Sequence, residues 1–274
     1  MLAILLMLMI SLGAITWLLS SRWRKTLRRQ RVMAKPFPKS WRNILKRRLP
    51  YFHTLPWDLQ LQLKRHIQVF LDEKLFIGCD NLKINDEIRV TIAAQACLLL
   101  LNRKTDFYPN LRQILVYPDA FFVEREQQDG AGLVSHERKL LAGESWEQGQ
   151  VLLSWKNTLE GAANPHGGNN VVIHEFAHQL DQEDGIANGT PILAHSQDYL
   201  AWSQAFSQAY QELISATSQG ESRIFDSYGA TNPAEFFAVV TETFFAQPNA
   251  LNRQYPALYK ELRHFYQLDP MNWQ

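Results

Sequence analysis

Two histidines and a glutamate within residues 174–178 form the part of this chain best suited to chemistry. His174 and His178 lie four residues apart, in an H-E-x-x-H pattern inside an apolar run with a helical period. Four residues of α-helix turn through about 400°, so both imidazoles share one face and can bind one metal ion. Glu175 lies one step further round, within reach of a water on that metal. The pattern is typical of a zinc hydrolase with a carboxylate base and an open coordination position.

The residues around this pattern predict a short buried helix. Phe176 and Leu180 supply apolar contacts, Asn170 offers an N-cap, and Gly185 marks the end of the helical stretch. The alternative interpretation is an ordinary amphipathic helix on which two histidines happen to lie four residues apart. The capping signals on both sides favour the metal site.

Residues 228–242 contain the candidates for a third metal ligand. Asn232 and Pro233 are typical of an N-cap and a first helical residue. Glu235 then takes the third position, where it either reaches back to the cap amide or completes the metal site. Glu242, seven residues on and on nearly the same face, is the alternative ligand. Tyr228 in the preceding loop would bring a phenol to the same place.

Residues 2–19 predict a membrane anchor. They carry no charge and are almost wholly apolar, and eighteen helical residues come close to the roughly 30 Å of a hydrocarbon core. A cleaved signal peptide would need basic residues before the apolar run, whereas here they follow it. We therefore expect a single-pass protein of the inner (cytoplasmic) membrane. The positive-inside rule puts the rest of the chain in the cytoplasm.

Charge is divided sharply along the chain. Residues 21–50, here called the basic collar, hold 12 of the 28 Lys and Arg residues and no Asp or Glu, so the 16 that remain face all 27 acidic residues in residues 51–274. We expect the collar to contact anionic headgroups. Direct nucleic-acid binding is not favoured, because no binding module is visible and the body is acidic. Prolines indicate that much of the collar is an extended linker, so residues 51–274 should fold without residues 1–50.

The body, residues 51–274, reads as one mainly helical α+β domain with a small sheet. Helices are predicted at residues 57–74, 86–101 and 197–218, and strands at residues 113–117, 121–123, 138–142 and 151–155. We interpret the last strand as an edge strand that could pair with an extended peptide. Cys79 and Cys97 lack metal-site spacing and are predicted to be free thiols.

Two sequence blocks carry a resemblance to a known family. Residues 174–181 read His-Glu-Phe-Ala-His-Gln-Leu-Asp, and residues 227–238 read Ser-Tyr-Gly-Ala-Thr-Asn-Pro-Ala-Glu-Phe-Phe-Ala. Both resemble the Mlc titration factor A family of zinc-dependent peptidases, and they are similar to the catalytic part of anthrax lethal factor. The likeness covers most of the body, including Leu-Val-Tyr-Pro at residues 115–118 and Gly-Glu-Ser-Trp at residues 143–146.

The resemblance implies a zincin-like metallopeptidase domain with one Zn²⁺ per chain. It implies His174, His178 and Glu235 as zinc ligands, Glu175 as the general base that acts on a zinc-bound water, and Tyr228 as donor to the transition state. The family is associated with aminopeptidase-like activity on peptide substrates. It is also associated with binding a glucose-responsive transcriptional repressor.

Two departures from the family pattern bear on these expectations. The N-terminal span and the collar lie outside that pattern, which puts the repressor partner in doubt. Val239 also stands where many zinc peptidases with a Glu ligand have an acid that supports a histidine, so Asp181 or Glu242 must take that role. The competing function is a regulatory binding protein that sequesters a partner and keeps a vestigial zinc site. Intact Glu175 and Tyr228 favour an enzyme, since binding alone needs neither.

Overall fold

A computed structural model describes residues 20–104, 106–128, 134–146 and 149–273, together with residues 7, 9, 11, 13 and 17. For residues 122–128, 134–141 and 146 the description is of the backbone alone.

Helices make up most of residues 20–273. The α-helices are α1 (Ser21–Met33), α2 (Lys39–Arg48), α3 (Trp57–Glu73), α4 (Asp86–Leu98), α5 (Trp155–Ala163), α6 (Val171–Asp181), α7 (Asp198–Ser218), α8 (Pro233–Ala246), α9 (Pro248–Gln254) and α10 (Pro256–Tyr266). Short 3-10 turns lie at Pro50–His53, Gln182–Asp184, Ser227–Ala230 and Pro270–Trp273.

The strands form one mixed sheet and one hairpin. They are β1 (Leu75–Gly78), β2 (Gln113–Tyr117), β3 (Phe121–Gln128), β4 (Val134–Leu141), β5 (Gly143–Trp146) and β6 (Gln150–Ser154). The sheet has the order β1-β2-β6-β5, in which β1, β2 and β6 are parallel and β5 runs antiparallel to β6. The strands β3 and β4 pair with each other as a separate antiparallel hairpin. The chain is thus mainly helical with a small mixed sheet, which confirms the predicted α+β class.

Helix α6 lies at the centre of the domain. It packs against α8 on one side and against α4, α5 and β5 on the others. Its Phe176 is fully buried and meets the rings of Phe70 and Tyr108, with centroids 5.7 and 4.8 Å away. Aromatic pairs at such distances add to the free energy gained by burial. The helix that carries the histidines is therefore fixed within the core.

Most of the elements predicted from the sequence are present. The helices predicted at residues 57–74, 86–101 and 197–218 correspond to α3, α4 and α7, and the four predicted strands correspond to β2, β3, β4 and β6. Both cysteines are free, as predicted. The edge assignment is wrong, because residues 143–146 form the further strand β5 and leave β6 inside the sheet. Among the described strands, β5 is the edge next to α6.

The N-terminal transmembrane helix and the single-pass inner-membrane location are corrected by the structure. Within the described residues no helix is both long enough and apolar enough to cross a bilayer. The first helix in residues 20–273, α1, has 13 residues, which span about 20 Å, and six of its side chains are basic. Most of the predicted span, residues 2–19, lies outside the described residues. The membrane contact expected of the collar loses its support with that span.

The basic collar is not an extended linker. It folds into α1 and α2 and turns several apolar residues inward, so that Leu45 and Leu49 are completely buried and Val32 and Ile44 nearly so. Burying a leucine side chain contributes about 1.5–3 kcal/mol relative to leaving it exposed. Removing residues 1–50 would therefore uncover part of the core, contrary to the expectation that residues 51–274 fold alone.

Ion pairs join the collar to acidic residues of the body. The most buried pair connects Arg29 in α1 to Glu73 at the end of α3, with 2.6 Å between Nε and Oε1 and 13% of each side chain exposed. Arg29 also reaches Asp106 at 2.6 Å, and its guanidinium lies 4.7 Å from the centroid of the Phe107 ring. Further pairs are Lys25 with Asp106, Arg28 with Asp72, and Arg47 and Arg48 with Glu87. Part of the collar's positive charge is therefore matched within the chain.

We expect Arg29→Ala to lower the free energy of unfolding by about 2 kcal/mol, because it leaves Glu73 largely buried without its partner. Arg28→Ala is the matched control. Its pair with Asp72 is mostly in solvent, with 63% of the Arg28 side chain exposed, and should contribute less than about 1 kcal/mol. Urea unfolding of the full chain measures both changes. Equal effects of the two variants would contradict the role of the Arg29 cluster.

Candidate metal centre

Local capping fixes both ends of helix α6. The side chain of Asn170 accepts a hydrogen bond from the backbone N–H of Ile173 at 3.1 Å, as expected of an N-cap. Its amide nitrogen donates to Gln95 in α4 at 2.8 Å, and its backbone N–H donates to Glu242 in α8. After Asp181 the chain enters a 3-10 turn that Gly185 ends with φ of 92°. These contacts set the position of the histidines along the helix axis.

Helix α8 begins as the sequence predicts. Asn232 accepts a hydrogen bond from the backbone N–H of Glu235 at 2.9 Å, and Pro233 is the first helical residue. The Glu235 carboxylate could reach back to the backbone N–H of Asn232, which is a different donor from the N–H that the Asn232 side chain caps. It points instead toward α6, where it lies beside His174 and His178.

Three side-chain atoms from α6 and α8 converge on one point. Nε2 of His174 lies 2.9 Å from Oε2 of Glu235 and 3.2 Å from Nε2 of His178, and the distance from His178 Nε2 to Glu235 Oε2 is 3.3 Å. The three side chains are 10–18% exposed. Ligand atoms about 2.0–2.1 Å from a tetrahedral zinc are about 3.3 Å apart, close to these distances.

Glu242 determines which nitrogen of His174 carries the proton. Its Oε1 lies 2.8 Å from Nδ1 of His174, and a carboxylate can only accept, so Nδ1 must donate. In the neutral ring Nε2 then presents a lone pair to the lone pairs of Glu235. Facing lone pairs repel each other, and a cation between them removes the repulsion. The donor set therefore fits a divalent metal with two nitrogen ligands and one oxygen ligand.

The electrostatics of the cluster agree with this fit. Burial alone would lower the pKa of His174, but hydrogen bonds to Glu235 and Glu242 outweigh it and hold that pKa well above its usual value. Burial would likewise raise the pKa of Glu235, but its hydrogen bonds to both histidines depress it strongly. The two carboxylates thus attract a positive charge, which is a proton on His174 or a metal ion in its place.

Glu175 lies next to this cluster but outside it. The side chain is 5% exposed, and burial, together with the negative charges of Glu235, Glu144 and Glu242, raises its pKa to about 8, against the opposing effect of His174. A carboxyl with a pKa of about 8 is mainly protonated at neutral pH. A cation at the neighbouring cluster would favour its ionised form, which is the form that a general base needs.

Tyr228 approaches the cluster from the solvent side. It lies in the 3-10 turn Ser227–Ala230, which Asp226 caps by accepting from the Tyr228 backbone N–H at 2.8 Å. The Tyr228 ring is 51% exposed, and its centroid is 6.0 Å from that of His174. The phenol is therefore close to the candidate metal centre and open to a molecule bound from outside.

Asp181, His166 and His195 do not belong to the converging cluster. Asp181 is fully buried and accepts from the backbone N–H of Gly189 at 2.8 Å, so it supports the loop after α6. Glu242, and not Asp181, is the acid beside His174. His166 contacts the carbonyl of Ala246 near the end of α8, and the backbone N–H of His195 is bonded to Asp198.

The contribution of strand β5 is not apparent from the sequence. The strand lies against α6, where Gln179 Nε2 donates to Ser145 Oγ at 2.7 Å. On the same face of the strand, Gly143 lies against Glu175. The quoted Gly-Glu-Ser-Trp block at residues 143–146 marked this stretch as part of the family resemblance, but nothing in it indicated contact with the metal helix.

Comparison with known proteins defines the class. Residues 23–267 match the family model described as glucose-regulated metallo-peptidase M90. The match extends over most of the chain, so the chain belongs to this metallopeptidase family.

Individual relatives agree with the family assignment. A Synechocystis protein, slr2042, is 41% identical over 267 residues, which is 97% of each chain. Proteins named Mlc titration factor A are 32% identical in Enterobacter, over 81% of this chain and 84% of theirs, and 34% identical in Klebsiella pneumoniae, over 80% and 82%. The resemblance to the titration-factor family is thereby confirmed. The likeness to anthrax lethal factor stays a prediction.

Proposed function

We propose that this chain is a zinc-dependent peptidase that hydrolyses peptide bonds, with His174, His178 and Glu235 as metal ligands. The observation that carries the proposal is the convergence of three lone-pair-bearing atoms within 2.9–3.3 Å of each other, beside the buried carboxyl of Glu175. A zinc ion held there supplies Lewis acidity and lowers the pKa of a water ligand toward about 7.

Glu175 and Tyr228 take the two remaining roles in the proposed reaction. Glu175, whose buried carboxyl lies beside the cluster, accepts a proton from the attacking water and passes it to the departing amine. Tyr228 donates its phenolic hydrogen to the carbonyl oxygen as negative charge develops there. Glu242 keeps His174 in the tautomer that leaves Nε2 available.

Strand β5 offers a place for the substrate backbone. It is one of the two edge strands of the described sheet, with one side paired to β6 and the other unpaired among the described strands. An extended peptide can add to such an edge through main-chain hydrogen bonds. We therefore move the peptide-binding role that the sequence suggested for residues 151–155 to Gly143–Trp146. Aminopeptidase-like action is inferred from the family resemblance.

The proposal is tested with the full chain and a panel of peptides of mixed sequence, some with blocked N-termini. The zinc-loaded protein should cleave members of the panel, lose activity with a chelator and regain it with added zinc. Failure to cleave peptides with blocked N-termini would support aminopeptidase-like action. Absence of any cleavage by fully zinc-loaded protein would contradict a peptidase.

A second candidate function is regulatory. Relatives are named for titrating Mlc, so we propose that this chain also binds a transcriptional repressor of that kind. Binding of a purified Mlc-type repressor, measured by calorimetry, tests it. If the zinc-loaded chain cleaves no peptide but binds the repressor, and binding survives Glu175→Gln, the function is sequestration and the zinc site is vestigial.

We expect Tyr228→Phe to lower kcat about 100-fold with a much smaller change in KM, because the hydroxyl acts mainly on charge that develops in the transition state. Zinc content should stay at one per chain, since the converging ligand atoms belong to His174, His178 and Glu235. Steady-state kinetics on a cleaved peptide measures the effect, with Tyr199→Phe, a half-exposed tyrosine of α7, as control. A kcat equal to that of the parent would remove Tyr228 from the mechanism.

A further inference from the structure

Strand β5 approaches α6 so closely at Gly143 that no side chain fits between them. A Cβ at this position would lie 2.6 Å from Oε1 and 2.8 Å from Cγ of Glu175, and closer still to a methyl of Val171. Non-bonded carbon atoms have their optimal separation at about 3.5–4.0 Å. Glycine therefore allows the strand backbone to lie directly against the Glu175 carboxyl.

Both partners in this contact are held by other bonds. On the strand side, Gly143 is paired with Leu153 of β6, and the backbone N–H of Ser154 donates to Ala142 at 2.8 Å. On the helix side, Asn170 caps α6, and the apolar face of that helix is buried. A side chain added at position 143 could not readily push the two backbones apart. The side chains of Val171 and Glu175 are the parts that would have to move.

We propose that Gly143 is a positioning residue for the general base. Its lack of a side chain sets where the Glu175 carboxyl lies relative to the metal centre. The position of the edge strand and the position of the base are thereby coupled. This inference rests on the proposed peptidase function. Displacement of a reacting group by about 1 Å can cost about 100-fold in rate, so a single methyl at position 143 should act on kcat.

The test compares Gly143→Ala with Ser145→Ala in the full chain. Ser145 faces α6 from the same side of β5, but it bonds Gln179 and not Glu175. Gly143→Ala should retain one zinc per chain and lower kcat by roughly 10–100-fold, with KM changed by less than about threefold. Because Ser145 belongs to the proposed peptide-binding strand, Ser145→Ala serves as the structural control, and its Glu175 carboxyl should stay in the parent position. In crystals, the Glu175 carboxyl of Gly143→Ala should be displaced from its position in the parent.

A second variant separates positioning of Glu175 from simple crowding. Val171→Ala removes the nearest methyl and makes room for the new Cβ, so Gly143→Ala/Val171→Ala should fold even if the single variant does not. Its kcat should stay low relative to Val171→Ala, because the contact with Glu175 persists. Recovery of kcat to the Val171→Ala level, or an unmoved Glu175 carboxyl, would overturn the proposal. A parent that cleaves no peptide would instead refute the peptidase function.

Discussion

Glu175→Gln should slow peptide cleavage by about 100- to 10,000-fold while the protein stays folded and keeps its zinc. The glutamine side chain has nearly the same shape, but its amide cannot take up the proton that leaves the attacking water. Glu175 is also outside the group of atoms that converge on the metal site, so zinc binding does not depend on it. The loss should therefore appear in kcat and not in zinc content.

The control for this substitution is Glu160→Gln, which removes the same charge from an exposed position on α5. It should leave kcat and zinc content unchanged. Single-turnover kinetics with saturating enzyme measures the chemical step in all three proteins. If Glu175→Gln cleaves peptide as fast as the parent, Glu175 is not the base. The interpretation of the site as a peptidase active site is then contradicted.

Glu235→Ala should weaken zinc binding about 1,000-fold. Structural zinc sites with four protein ligands bind the ion with about 10–16 kcal/mol in total, so the loss of one ligand removes several kcal/mol. It also leaves the two histidines without the carboxylate that now lies 2.9 and 3.3 Å from them.

Glu242→Gln is the matched comparison, because it changes the other acid of α8 that touches His174. It should weaken zinc binding by about 10–100-fold, as expected for a group that orients a ligand without binding the metal. Competition against a chromogenic chelator measures both affinities. A larger loss in Glu242→Gln than in Glu235→Ala would mean that the roles of the two acids are reversed.

The helices that carry the site were predictable because their signals are local. Asn170 and Asn232 cap helices within three residues of themselves, and the spacing of His174 and His178 fixes their common face. The choice between Asp181 and Glu242 as support for a histidine stayed open in the sequence. It depends on how α6 and α8 pack, which neither helix encodes alone.

The sequence did not predict that residues 143–146 form the edge strand, and the reason is related. Residues 143–146 contain a glycine and two polar residues and show little of the apolar alternation that identifies a strand. They become a strand because they pair with β6. The close approach of Gly143 to Glu175 is likewise visible only once sheet and helix are assembled.

The basic collar shows how a composition signal can mislead. Its 12 basic residues and three prolines indicate a solvated linker, yet Leu45 and Leu49 are buried in the core. Arg29 finds its acidic partners 44 and 77 residues away. Such pairings depend on tertiary structure, so they could not be predicted from the sequence of the collar.

The measurement that bears most directly on the central claim is anomalous diffraction at the zinc edge from crystals of the zinc-loaded chain. A catalytic zinc centre predicts one strong peak per chain, about 2.0–2.2 Å from Nε2 of His174, Nε2 of His178 and a carboxylate oxygen of Glu235. Glu175 should lie outside the coordination shell, near a solvent ligand of the zinc. A zinc ion bound elsewhere, or one with Glu175 as a direct ligand, would contradict the account.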